Sequence, residues 1–247
     1  MFARYLVLLT VFPVLAVLAA EPKATPKSSL ANVRIELEKR TGQAESERHG
    51  LGHTAGGTIL VDTPRADTVQ VLLSGLVAAG GLPLESSHAV LKFDVTQRLR
   101  VVADRPSLTR VSLESTLIGQ FIGTRDGAGV ASVDLAECTL LAGDQVLLAN
   151  AFPPRSHASA TTLFVNDRYD PSEVVLPSGS VVCLNMRFLL RSEHPKRLCH
   201  KNVLTAAFGP EAPKVPDWLN LLAPGRDLPR QPNLGLRAMV RVAPAQQ

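Results

Sequence analysis

Residues 89–121, AVLKFDVTQRLRVVADRPSLTRVSLESTLIGQF, decide the fold. Leu91, Phe93, Val95, Leu99, Val101 and Ala103 fall on one side of an alternating pattern. Lys92, Asp94, Thr96, Arg98 and Arg100 fall on the other, and Val102 breaks it. Successive side chains of an extended chain point to opposite faces, so period two with polar residues between marks a half-buried strand. Gln97 is the one polar residue in the apolar register, which predicts a bulge or a slight bend there. Asp104-Arg105-Pro106-Ser107 punctuates, because proline suits a turn and cannot continue a ladder. Val111, Leu113 and Leu117 resume the alternation, with Arg110, Ser112, Glu114 and Thr116 outward. The pattern predicts a long antiparallel hairpin with one apolar face, and that face requires a second apolar layer.

The flanking sequence repeats the theme. Val33, Ile35 and Leu37 alternate with Arg34, Glu36 and Glu38 in a first strand. Residues 40–58 are polar and carry Gly42, Gly50, Gly52, Gly56 and Gly57, which predicts a mobile loop. Residues 58–62 and 68–73 predict strands around the turn Thr63-Pro64-Arg65-Ala66. Residues 74–84 suit a short helical turn ended by Gly80, Gly81 and Pro83. Residues 130–141 and 145–152 predict a strand pair around Ala142-Gly143-Asp144. Residues 161–165, 173–176 and 180–191 predict further strands. In the last of these Val182, Leu184, Met186, Phe188 and Leu190 share one face. About ten short strands with Gly, Pro and Asp punctuation point to an all-β protein, an antiparallel β-sandwich with a Pro-rich, basic C-terminal extension.

The ends differ from the middle. Residues 1–20 have a basic start at Arg4, an apolar run from Tyr5 to Leu18 and small residues at the end, as a secretory signal peptide does. Cleavage after Ala19 or Ala20 leaves a secreted or periplasmic chain with no transmembrane anchor. Residues 21–31 then read as a flexible leader, and 32–191 as the sandwich domain. Residues 192–247 are the extension; its piece Pro216–Leu222 holds the only tryptophan, Trp218, which pins it to the sandwich. Leu236, Ala238, Val240 and Val242 alternate with Arg237, Met239 and Arg241 in a final strand, expected at a sheet edge with its basic residues outward.

Net charge is +4 over 247 residues. The basic excess lies from Asn185 onward; its charges are dispersed, which reads first as a solvated basic face, and an anionic surface or polymer engaged by the extension is the alternative. Export places the chain where disulfides form. Cys183 projects from the polar side of its strand and Cys199 follows the turn at Pro195, which predicts a Cys183–Cys199 bridge. Cys138, among Val133, Leu135, Leu140 and Leu141, is expected to stay a free thiol. Three unpaired thiols are the alternative.

Motifs for chemistry are sparse. His49 and His53 have a metal-like spacing, but the glycines between them disfavour the helix that would put both imidazoles on one face. His194, Cys199 and His200 with Cys183 offer nitrogen and sulfur donors in no recognised zinc pattern. Asn166, Asp167 and Asp170 offer hard oxygens without a calcium-loop pattern, and Asx turns before Pro171 account for them. Glu36 and Glu38 lie on one side of a strand, roughly 7 Å apart, a carboxylate-pair spacing. Two acids on the solvent face of an amphipathic strand are commonplace, and Lys39 and Arg40 follow, so the solvated reading is preferred. No catalytic or metal site is assigned from these residues, and no cofactor. The reading is an exported, non-catalytic β-sandwich that serves as a binding or structural module. The alternative is an exported hydrolase with a carboxylate-based or metal-assisted site.

Overall fold

The computed structural model describes residues 32–50, 53–80, 86–123, 129–158, 162–195, 203–208 and 235–245. These residues form twelve strands and no helix. The strands are β1 (Val33–His49), β2 (His53–Arg65), β3 (Thr68–Gly80), β4 (Ser87–Ala103), β5 (Leu108–Gly123) and β6 (Val130–Ala142), followed by β7 (Gln145–Ala151), β8 (Arg155–His157), β9 (Thr162–Pro177), β10 (Val181–His194), β11 (Val203–Phe208) and β12 (Gly235–Pro244). They make two six-stranded antiparallel sheets packed face to face, a β-sandwich. Sheet I runs β1-β4-β10-β6-β7 with β8 also on β6. Sheet II runs β11-β3-β12-β5-β9 with β2 also on β3.

The alternation in residues 89–121 does choose the buried side chains. Leu91, Phe93, Val95, Leu99 and Val101 of β4 and Val111, Leu113, Leu117 and Phe121 of β5 are all buried in the core. The two strands are not a hairpin, however. β4 pairs with β1 and β10, whereas β5 pairs with β12 and β9. The chain crosses between sheets at 104–107, so the apolar faces of β4 and β5 look at each other. Period two reports which face is buried and is silent on whether the neighbour lies beside it or opposite it. A second crossing, at 178–180, runs alongside: Gly179 donates to Val101 O and Ser178 to Ser107 O. β4 stays in regular register at Gln97, whose side chain donates to Thr41 O at 3.3 Å. The bulge sits instead on the neighbouring strand, between Leu37 and Lys39.

Residues 40–49 and 53–58 are strand rather than mobile loop: β1 continues to His49 and β2 begins at His53. Here glycine serves close approach. Gly57 lies opposite Gly75 in the β2–β3 register. A Cβ on Gly57 would stand 2.4 Å from Phe93 Cζ and 2.5 Å from Ser74 O; one on Gly75 would stand 2.6 Å from Leu91 Cδ2. The space admits the ring of Phe93, which stacks on Phe188 at 6.0 Å and 18°. Residues 74–80 are likewise strand, not a helical turn. From Val71 to Gly80 every residue of β3 is buried, so no polar alternation marks it.

The final strand is central, not an edge. β12 lies between β3 and β5 and bonds to both. β11 lies between the same two strands. Phe208 stands opposite Gly75 and Leu236 opposite Leu73, while Ala207 stands opposite Gln120 and Gly235 opposite Ile118. Phe208 and Gly235 thus hold consecutive positions in one lane. Gly235 has φ +139°, and a Cβ there would meet Leu73 O at 2.3 Å, so only glycine fits where the chain rejoins the lane. The segment 216–222 with Trp218, the leader 21–31 and the signal-like residues 1–20 lie outside the described residues.

Two outcomes follow from this packing. Gly57→Ala should destabilise by about 1–3 kcal/mol, the range for overpacking a filled core; an unchanged denaturation midpoint would show that Phe93 moves aside freely. Deleting 209–234 and joining Phe208 to Gly235 should leave one continuous strand. Hydrogen exchange should then keep the amides of β3 and β5 protected, and loss of that protection along β5 would contradict a shared lane.

Candidate functional site

One end of sheet I collects polar groups. The end of β1, the start of β4, the end of β10 and the start of β6 meet there. Register places His49 beside His88, His88 beside Glu193, and Glu193 beside Val130. One row inward, Glu47, Val90, Arg191 and Ser132 align. A cleft of about 650 Å³ is lined by residues that include Glu47, Ser87, His88, Arg191, Glu193 and His194. The His49 and His88 rings stack at 5.5 Å. Arg191 is held by Asp134 at 3.1 Å and Glu193 at 3.2 Å. The buried Ser87 hydroxyl donates to Gly80 O at 2.7 Å. The cleft joins imidazole, carboxylate and guanidinium groups. Among the described residues, no three His, Cys, Asp or Glu converge to hold a metal ion.

The sequence candidates separate in space. His49 closes β1 in sheet I, whereas His53 opens β2 in sheet II. Cys183 and His194 sit near opposite ends of β10. Cys199 and His200 lie outside the described residues. Asn166, Asp167 and Asp170 belong to the edge strand β9, not to a loop. Asp167 accepts from Arg155 at 3.1 Å, and the Asp170 side chain is 97% exposed at a bulge beside Pro171. Glu36 pairs with Arg34 at 2.8 Å. Glu38 sits at the β1 bulge and takes both Arg98 and Arg100. The hydrogen bond from Arg100 is the chief reason its carboxyl is held below the usual range. This is a cross-strand clamp, and each glutamate has its own cationic partner.

Cys138 and Cys183 are free thiols, the first buried and the second half-buried; no disulfide forms among the described residues. Burial pushes the Cys138 thiol up to about 12, against a partial offset from the Ser115 hydroxyl. Ser115 also accepts from Asn150 at 3.1 Å, a buried hydrogen bond from sheet I to sheet II.

A second group of charges was not visible in the sequence. On the outer face of sheet II, Glu114 of β5 is approached by Arg168 of β9 at 3.4 Å and by Arg237 and Arg241 of β12 at 3.7 and 4.0 Å. The alternation of β12 does put Arg237 and Arg241 on one side. Only the strand order brings them to Glu114, and strand order is not a local property.

In native protein, iodoacetamide should spare Cys138 until unfolding, because the thiolate is the reactive form. A non-reduced digest should show Cys138 in no bridge; a Cys138-containing bridge would contradict the buried thiol, and the same digest decides between a free Cys183 and the Cys183–Cys199 bridge read from the sequence. Comparison of the chain with known families, curated proteins and solved structures finds no match.

Proposed function

We propose that this chain is an exported, non-catalytic β-sandwich that works as a binding module. Its partner is an anionic surface or polymer, engaged through the basic C-terminal part. One observation carries the reading: cations of that part are gathered on a sheet face. Arg237 and Arg241 of β12 stand with Arg168 of β9 and Arg110 of β5, against Glu114, Glu173 and the solvent-exposed Asp170. Guanidinium groups present planar forks of donors that match the oxygens of sulfate, phosphate and carboxylate groups. On sheet I, by contrast, carboxylates hold the arginines closely: Glu38 with Arg98 and Arg100, Glu137 with Arg187, Asp134 with Arg191.

The hydrolase reading is favoured by the cleft at the end of sheet I. There His88 and Glu193 are register neighbours, and a carboxylate beside an imidazole is a general-base arrangement.

Retention on immobilised heparin tests the first reading. The protein should be held at low salt and released as salt rises, since screening weakens exposed charges; passage unretained at low salt sinks it. The same material should leave nitrophenyl esters and glycosides intact. Hydrolysis that disappears in Glu193→Gln would replace the module with the hydrolase. Sequencing of exported protein should start at Ala20 or Glu21, and a start at Met1 would reject removal of the signal.

A further inference from the structure

The arginines about Glu114 are arranged differently from every other ion pair described above. Two strands supply them, β9 and β12, around a carboxylate from β5. On β12, Met239 stands directly opposite Glu114, with Arg237 and Arg241 two residues to either side; on β9, Arg168 stands opposite Thr116. All three guanidinium groups therefore reach one carboxylate along the diagonals of the sheet. Glu114 is the deepest member, its side chain 10% exposed, with Arg237 at 22%, Arg241 at 53% and Arg168 at 58%. The cluster thus opens toward solvent on its cationic side.

Its donors are underused. A charge-assisted bond between guanidinium and carboxylate closes to about 2.7–2.9 Å. The separations here are 3.4, 3.7 and 4.0 Å. Arg241 directs Nε and Nη2 at the sulfur of Met239, at 3.2 and 3.0 Å, and a thioether is a weak acceptor. Asp170 comes only to 4.0 Å of Arg168 and lies in water. One carboxylate cannot satisfy three forks, and the cluster keeps a positive excess.

We propose that Arg168, Arg237 and Arg241 form a discrete site for one oxyanion group of the sulfate or phosphate type. Glu114 is the internal anion that holds the three forks in place and competes with the ligand. This rests on the binding-module reading and gives it a location. The charge of a doubly charged tetrahedral group matches the excess of three cations over one carboxylate. The group arrives either as the free ion or as an ester on a polymer.

The experiment is a titration of the full chain with inorganic sulfate, and separately with phosphate, at constant ionic strength made up with chloride. It is followed by amide and arginine side-chain shifts in NMR. Melting temperature is a poor readout, because sulfate stabilises folded proteins generally by exclusion from their surfaces. Saturable shifts should concentrate on β5, β9 and β12. Arg237→Gln and Arg241→Gln should each weaken binding about tenfold, the scale of one charge-assisted contact. Glu114→Gln should tighten it, since a competing charge has gone while the shape is kept. A purely structural ion-pair cluster would instead lose folding stability in Glu114→Gln without any gain in affinity. Shifts no larger than those given by chloride, or weaker binding in Glu114→Gln, overturn the proposal. Heparin and polyphosphate retention by the same variants separates the outcomes. Retention that persists unchanged in Arg237→Gln and Arg241→Gln keeps the module reading and removes this site, whereas a parent chain that neither is retained nor binds the inorganic ions removes both. Binding of inorganic ions without retention of either polymer assigns the site to the free ion.

Discussion

The close approach of the Phe93 ring, stacked on Phe188, to the glycine pair Gly57 and Gly75 governs how the sheets meet. Two rings side by side on β4 and β10 stand higher than the aliphatic side chains around them. The facing strands β2 and β3 answer with positions that have no side chain. The β2–β3 register then has little freedom. A one-residue slip would turn Gly56 or Thr58 toward the core and carry Ile59 and Val61, which pack against it, to the outer face. The same economy of space recurs on β1, where a Cβ at Gly42 would press on Val95 at 3.0 Å. Sheet spacing, register and the extent of β1 and β2 are therefore consequences of one packing constraint.

This constraint explains where local reading succeeds and fails. Alternation found the inward residues of β4, β5, β10 and β12, because a half-buried strand writes its faces into the sequence. It could not distinguish a hairpin from two strands in opposite sheets, since Leu91 to Val101 and Val111 to Phe121 are buried in either arrangement. The glycines of 42–57 signalled a loop only as long as their partners were unknown; the ring that Gly57 accommodates is far along the chain. β3 is buried on both faces and so has no period. For β12, alternation with arginines suggested an edge, but solvent on one face of a sheet is not the same as a free edge, and β12 is hydrogen-bonded on both sides.

The candidate sites show the same limit. Each chemically suggestive pair within a short segment, His49 with His53 or Glu36 with Glu38, was pulled apart or matched with arginine by the sheet. The two groupings that the fold does assemble draw on β1, β4, β6 and β10 in one case and on β5, β9 and β12 in the other. Spacing along the chain carries no record of either.

The position of β12 also decides what its arginines can do. A cation on an edge strand has a backbone bonded on one side only, and its stem sweeps a wide volume. Arg237 and Arg241 rise from a strand held on both sides, at a repeat of roughly 7 Å for residues two apart. Their stems are flanked by the outward residues of β3 and β5, which leaves less rotamer freedom to lose when a ligand is bound. A nearly buried carboxylate at the centre then fixes the direction in which the forks converge. Charge that merely coats a surface is screened and mobile, whereas charge anchored to the middle of a sheet is preorganised. In the proposed oxyanion site, the basic character of the C-terminal part would take its specificity from the lane in which its last strand is laid down.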